Sequence, residues 1–198
     1  MANKTHVALP GSNRPKDPLA TRIGDVDPKE KIDVTIGLSG PKLPSADEYV
    51  GQTLSPAEFA EKFGAKQEDA DIVTKTLKKF GLKVEEVLLA TRSMRVSGTV
   101  AAMESAFKPN LSLMRSARQG DYRGRQGTLQ IPAALKGLVT GVFGLDERQM
   151  ARRKSGNAAS AGLSGLSPLT PLDLEQRYNF PPGDCADQSI AIAEFGGG

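Results

Sequence analysis

From Lys31 to Leu38 the chain reads Lys-Ile-Asp-Val-Thr-Ile-Gly-Leu, so Ile32, Val34, Ile36 and Leu38 fall on one face. A period of two predicts a strand with one side buried. After a loop the signal changes. Ser55-Pro56-Ala57-Glu58 combines a capping serine, a proline in the first turn and a glutamate three residues after the cap, which starts a helix. Phe59 and Phe63 share a face, and Gly64 ends that helix. A second helix runs from about Gln67 to Phe80, with Ala70, Val73, Leu77 and Phe80 in one stripe and Gly81 as the stop. Leu82 to Thr91 and Ser93 to Gly98 read as strands joined by a tight turn near Thr91-Arg92. Thr99 caps a third helix with the stripe Val100, Met103 and Phe107. Leu111 to Arg115 is a further strand, and Gln119-Gly120-Asp121 a turn. Tyr122 to Arg125 and Thr128 to Ile131 are expected to form a hairpin around Gly127. Pro132 opens a short helix over Ala133 to Leu138, and Val139 to Leu145 is the last strand.

The order strand, helices, strand, strand, helix, strand predicts an α+β domain. It fits the ferredoxin-like split β-α-β plan, an antiparallel sheet with helices on one face. Residues 31–146 form this domain. Residues 1–30 are polar, with Pro10, Pro15, Pro18 and Pro28, and are expected to be an extended arm laid over another body. Residues 147–169 begin basic and continue small, polar and glycine-rich without any period. Such a segment buries too little apolar surface to offset the ordering of its backbone, so it is read as an exposed, cleavable connector. Beyond it, Thr170 to Tyr178 is a capped helix. Gln188 to Phe195 is a buried-type strand running into Gly196-Gly197-Gly198, typical of the first strand of a parallel α/β sheet. One strand is not stable alone, so residues 170–198 are expected to open a second domain that continues elsewhere.

Composition changes this picture little. Hydrophobic residues make up 38% of the 198 and tryptophan is absent, so the core is built from aliphatic side chains. The net charge of +3 is too small to mark a nucleic-acid binder by itself. Cys185 is the only cysteine, which excludes an internal disulfide. No signal peptide is visible at the N-terminus, and no apolar run approaches the length of a membrane helix.

Candidate chemistry is sparse. His6, the only histidine, sits in the arm without an orienting partner, and Cys185 is read as a bystander thiol. No zinc spacing, calcium loop or phosphate loop occurs. Two basic clusters stand out: Arg115, Arg118, Arg123 and Arg125, then Arg148, Arg152, Arg153 and Lys154. A ferredoxin-like sheet binds RNA through stacked aromatics. Here Tyr122 is the only nearby aromatic and the RNA-recognition pattern is missing. The basic clusters therefore suit an acidic protein surface better than nucleic acid.

Ordered patches then point to a family. They are Val26-Asp27-Pro28-Lys29-Glu30-Lys31-Ile32-Asp33-Val34-Thr35, Phe80-Gly81-Leu82, Val96-Ser97-Gly98-Thr99-Val100 with Ala106-Phe107, and Tyr122-Arg123-Gly124-Arg125 leading to Ile131-Pro132-Ala133-Ala134-Leu135 and Val142-Phe143-Gly144-Leu145-Asp146. Together they resemble the pro-kumamolisin-type activation domain, the propeptide of the sedolisins or serine-carboxyl peptidases. Thr170-Pro171-Leu172-Asp173-Leu174 through Tyr178-Asn179-Phe180-Pro181, then Ile190 to Gly198, is similar to the start of their catalytic domain.

The resemblance implies a propeptide of a secreted, acid-acting endopeptidase, which assists folding and blocks the active site until acid-triggered autoproteolysis removes it. Its partner is its own catalytic domain, covalently joined before cleavage and held non-covalently after it, with no nucleic acid and no membrane. The family's catalytic domain is subtilisin-like, with a Glu-Asp-Ser triad and a calcium site. No position here matches either, so no catalytic, cofactor or metal residue is assigned, and the chain alone is expected to be inactive. The candidate processing region is Arg153, Lys154, Ser155, Gly156, Ser160, Leu163, Ser164, Leu166, Ser167, Pro168 and Leu169. The alternative is a stand-alone ferredoxin-like module that inhibits a peptidase in trans.

Overall fold

The alternation at Lys31–Leu38 becomes a strand of those bounds, with its apolar residues buried and Lys31, Asp33 and Thr35 exposed. This computed structural model describes residues 5–49, 53–149 and 170–179. In chain order the elements are β1 (His6–Ala8), β2 (Ala20–Gly24), β3 (Lys31–Leu38), α1 (Pro56–Phe63), α2 (Gln67–Lys78), β4 (Lys83–Leu88), β5 (Ser93–Thr99) and α3 (Val100–Phe107). Then follow β6 (Leu111–Ser116), β7 (Gly120–Arg125), β8 (Gln130–Pro132), β9 (Val139–Phe143) and α4 (Pro171–Tyr178). The chain divides into two compact units, Met1–Ala151 and Arg152–Gly198.

The main sheet of the first unit has the order β4-β5-β3-β9, with every neighbouring pair antiparallel. Taken with α1 and α2 between β3 and β4, and α3 after β5, this is the split β-α-β arrangement. Helix α2 contributes Ala70, Val73 and Leu77 and helix α3 contributes Val100, Met103, Ala106 and Phe107 to one cluster with Ile32, Val34, Ile36, Met94, Val96, Val139 and Val142 of the sheet. Burying each large aliphatic or aromatic side chain contributes roughly 1.5–3 kcal/mol, so this layer holds the domain together. The helix starts follow local chemistry. Ser55 and Glu58 form a reciprocal capping box with Pro56 in the first turn. The Thr99 hydroxyl accepts the Ala102 N–H at the start of α3. In the second unit Thr170 and Asp173 form another capping box at α4.

The structure corrects several expectations. Residues 5–30 are not an arm laid over another body. Strand β1 pairs with β8, and β2 pairs with β6 in a separate sheet of order β2-β6-β7. Leu9 is fully buried in the main core. Polar composition hid this because one apolar side chain and a short run of backbone pairing are enough to tie a segment down. His6 is likewise part of β1, with its ring edge-on to Phe80 at 5.9 Å. The hairpin around Gly127 does not form. Strand β7 turns back on β6 at Gly120, whose φ is +79°, while Gly127 bridges Arg14 of the N-terminal segment. The helix expected over Ala133 to Leu138 is a single 3-10 turn at Ala133–Leu135. Strand β9 ends at Phe143 because Gly144 turns the chain at φ +94°, where a Cβ would sit 2.8 Å from the Asp33 carbonyl oxygen. The strand expected at Gln188 to Phe195 lies outside the described residues.

Candidate functional site: the anchor of the connector

Residues 144–149 carry the chain from β9 towards the connector, and they are held from two sides. On one side stands Arg123 of β7, its side chain only 8% exposed. Its guanidinium donates to Glu30 just before β3 and pairs with Glu147 at 2.9 Å. Its Nε also donates to the Leu145 carbonyl at 3.2 Å. The backbones join as well. Glu147 N donates to Arg123 O at 2.8 Å, and Arg123 N donates to the Glu147 carboxylate at 3.1 Å. Gln119 extends the same seam. It donates to Glu147 O, and its own carbonyl accepts the Gln149 N–H at 2.8 Å.

On the other side stands Asp146, 7% exposed. Its carboxylate accepts Arg14 Nε at 2.8 Å and Arg148 N at 2.8 Å, and the Arg148 guanidinium lies 3.6 Å away. Arg148 donates onward to the carbonyls of Pro15 and Arg125. A carboxylate with three donors around it is satisfied in a site where an unpaired charge would be costly. Leu145, fully buried, plugs the segment into the core between these two clamps. The exit point of the connector is therefore fixed by residues from the N-terminal segment, from β7 and from the loop before β7.

Nearby carboxylates are tuned by the same crowd of donors. The Leu19 backbone N–H, with the Tyr122 hydroxyl and the charges of Arg148 and Arg118, holds Asp17 below its ordinary value of 3.8. Burial pushes the Tyr122 phenol up, and its hydrogen bond to Asp17 adds to that. Arg115 holds Asp121 low through a two-pronged contact at 2.6 and 2.8 Å.

The two basic clusters are thus divided. Arg123 is a buried structural cation and Arg115 is paired on the surface, while Arg148 belongs to the anchor and Arg125 sits beside it. Arg152, Arg153 and Lys154, and the whole candidate processing region from Arg153 to Leu169, lie outside the described residues. The anchor itself was not visible in the sequence. Its pairs join residues 132, 93 and 24 positions apart, and no local pattern reports such partners. Among the described residues, no group of acidic, histidine or cysteine side chains is arranged to hold a metal ion, and no helix is long and apolar enough to cross a membrane.

An α+β domain that closes on its own exit segment defines the class: a folded module that holds a trailing connector at a fixed point. Residues 18–148 match the family described as Pro-kumamolisin, activation domain, and the chain belongs to that family. It is 31% identical to kumamolisin of Bacillus sp. over 209 residues, covering 96% of this chain and 38% of that protein. It is 29% identical to tripeptidyl-peptidase sed5 of Aspergillus fumigatus over 213 residues, covering 93% of this chain and 36% of that protein. The chain thus spans little more than a third of the length of these relatives.

Proposed function

We propose that residues 5–149 are the propeptide of a secreted serine-carboxyl endopeptidase, and that they fold on and inhibit the catalytic domain that follows the connector. The family match carries this reading. It runs from Pro18, after β1 and Leu9, through the rest of the folded domain to Arg148, inside the anchor, so the folded unit and the family unit end together. The connector leaves from a point that cannot drift, which suits a segment that must be laid along one cleft. The outer face of the main sheet suits docking. Phe143 is 63% exposed, and its ring covers the side-chain-free patch made by Gly141 and Gly37. Removal of the propeptide is autoproteolytic, triggered by acid, and falls within Arg153 to Leu169. The triad and the calcium site belong to the catalytic domain.

The test uses the full-length precursor, purified near neutral pH and shifted to acid, with products followed by intact-mass analysis. The expected first cut lies between Arg153 and Leu169, is faster in acid, and is abolished when the catalytic serine is replaced. Equal rates at neutral and acid pH would remove the acid trigger. A first cut inside Lys31 to Asp146 would remove the propeptide assignment.

A further inference from the structure

Beside the anchor, the three-stranded sheet forms a small cleft of about 140 Å³. Arg22 of β2, Ser112 of β6, Gly124 and Arg125 of β7, Asn110 and Arg148 line it. The register explains the shape. Arg22 lies opposite Met114, and Ser112 lies opposite Gly124, so Gly124 adds no side chain beside Ser112, and the Met114 side chain and Tyr122 ring pack where its Cβ would stand. The lining residues include three arginines and no carboxylate. The acids around it are already engaged. Asp25 pairs with Arg22 and is largely exposed, Asp146 is shared between Arg14 and Arg148, and Asp17 accepts from Leu19 and Tyr122. Arg22 and Arg148 are thus each paired with one of these acids, and Arg22 Nε also donates to the Ser112 hydroxyl, while Arg125 donates to the Gly127 carbonyl. Burial holds the Arg125 guanidinium below the ordinary arginine value, and Arg14 and Arg148 push the same way against the pull of Asp146. Arg148 Nε is buried and has no acceptor among the described residues.

We infer that this cleft is a carboxylate-binding subsite that receives an aspartate or glutamate side chain of the peptidase domain, an assignment of the occupant that rests on the propeptide reading. Guanidinium groups with a hydroxyl and an amide beside them are the donor set a carboxylate takes. The volume suits one side chain and not a run of phosphates. Among the described residues that line the cleft, none is an aromatic to stack a base on, and the neighbouring Tyr122 is buried with its hydroxyl used by Asp17. The arrangement also supplies an acid response. The arginines keep their charge at all relevant pH values, so protonation of the incoming carboxylate alone removes the contact.

The test titrates the 198-residue chain, with its arginines labelled with nitrogen-15, with acetylated hexaglutamate near pH 7. Saturable shifts are expected at the Nε resonances of Arg22 and Arg125. Arg22→Gln and Arg125→Gln are each expected to weaken binding about tenfold, the size of one charge-assisted hydrogen bond. Acidification to about pH 4, where glutamate is half protonated, is expected to weaken it further. Absence of saturable shifts overturns the subsite, and inorganic phosphate or a single-stranded oligonucleotide binding there more tightly than hexaglutamate overturns the carboxylate assignment. A second arm measures inhibition of the mature peptidase by the same chains. Arg125→Gln should raise the inhibition constant about tenfold near neutral pH, and an unchanged constant overturns the occupant. If the parent chain does not inhibit at all, the propeptide reading fails, while the titration still decides the cleft.

Discussion

Arg123 concentrates more of the domain's long-range structure than any other polar side chain described. It joins Glu30 before the first sheet strand to Glu147 after the last, and it meets the Leu145 carbonyl on the way. Replacing it with methionine keeps much of the packing volume but leaves two facing carboxylates without their shared cation. Glu30 and Glu147 are about half exposed, so water relieves part of that repulsion. The cost is expected to be about 2–3 kcal/mol in urea unfolding, below the range for breaking a fully buried pair. A lysine recovers little, because a single ammonium does not reproduce the fork that reaches Glu30, Glu147 and the Gly144 and Leu145 carbonyls. A loss under about 0.5 kcal/mol would mean the anchor holds without it.

Among the elements, β1 gives the clearest case of tertiary context overriding local signal. It is three residues long and leads into a polar, proline-rich segment, which reads as an arm. Pairing of Val7 with Ile131 and full burial of Leu9 make it part of the core instead. Leu9→Ala is expected to destabilise the domain by about 2–4 kcal/mol, read as a fall in the urea midpoint with an unchanged slope. A truly peripheral arm would lose less than about 0.5 kcal/mol. The helices behave differently. The Ser55 box and the Thr170 and Thr99 caps were all legible, because a cap is a contact between residues three positions apart.

At the scale of the whole molecule, the shifted carboxylates decide what acid does to the domain by itself. Asp17, Glu58, Glu85 and Asp121 of the first unit, and Asp173 of the second, lie below their ordinary values of 3.8 or 4.5. For Glu58 the chief cause is the Ser55 backbone N–H, and for Glu85 the hydrogen bond from Lys83. A carboxylate depressed in the folded state contributes stability that is fully present above its unfolded value. That stability is lost only as pH falls through the lower folded value. Thermal unfolding of the 198-residue chain should therefore give nearly equal midpoints at about pH 7 and pH 5, and a clear fall at about pH 3. A midpoint that collapsed already at pH 5 would assign the proposed acid trigger to unfolding of the domain. Equal midpoints leave it to contacts between the domain and its partner.

Sequence alone determined the repeating features: the strand at Lys31–Leu38, the capped helices, and the order of elements that selects an antiparallel sheet with helices on one face. Each depends on side chains a few residues apart, and periodicity records those directly. It also carried the ordered patches by which the family is recognised. Tertiary structure alone decided the rest. It wove the N-terminal segment into two sheets, drew Arg14 and Arg123 onto residues 144–149 with Glu30 pairing Arg123 from behind, and set Arg22, Arg125 and Arg148 around one cleft. Those contacts join positions far apart in the chain, and their chemistry depends on distance and burial that no local pattern encodes.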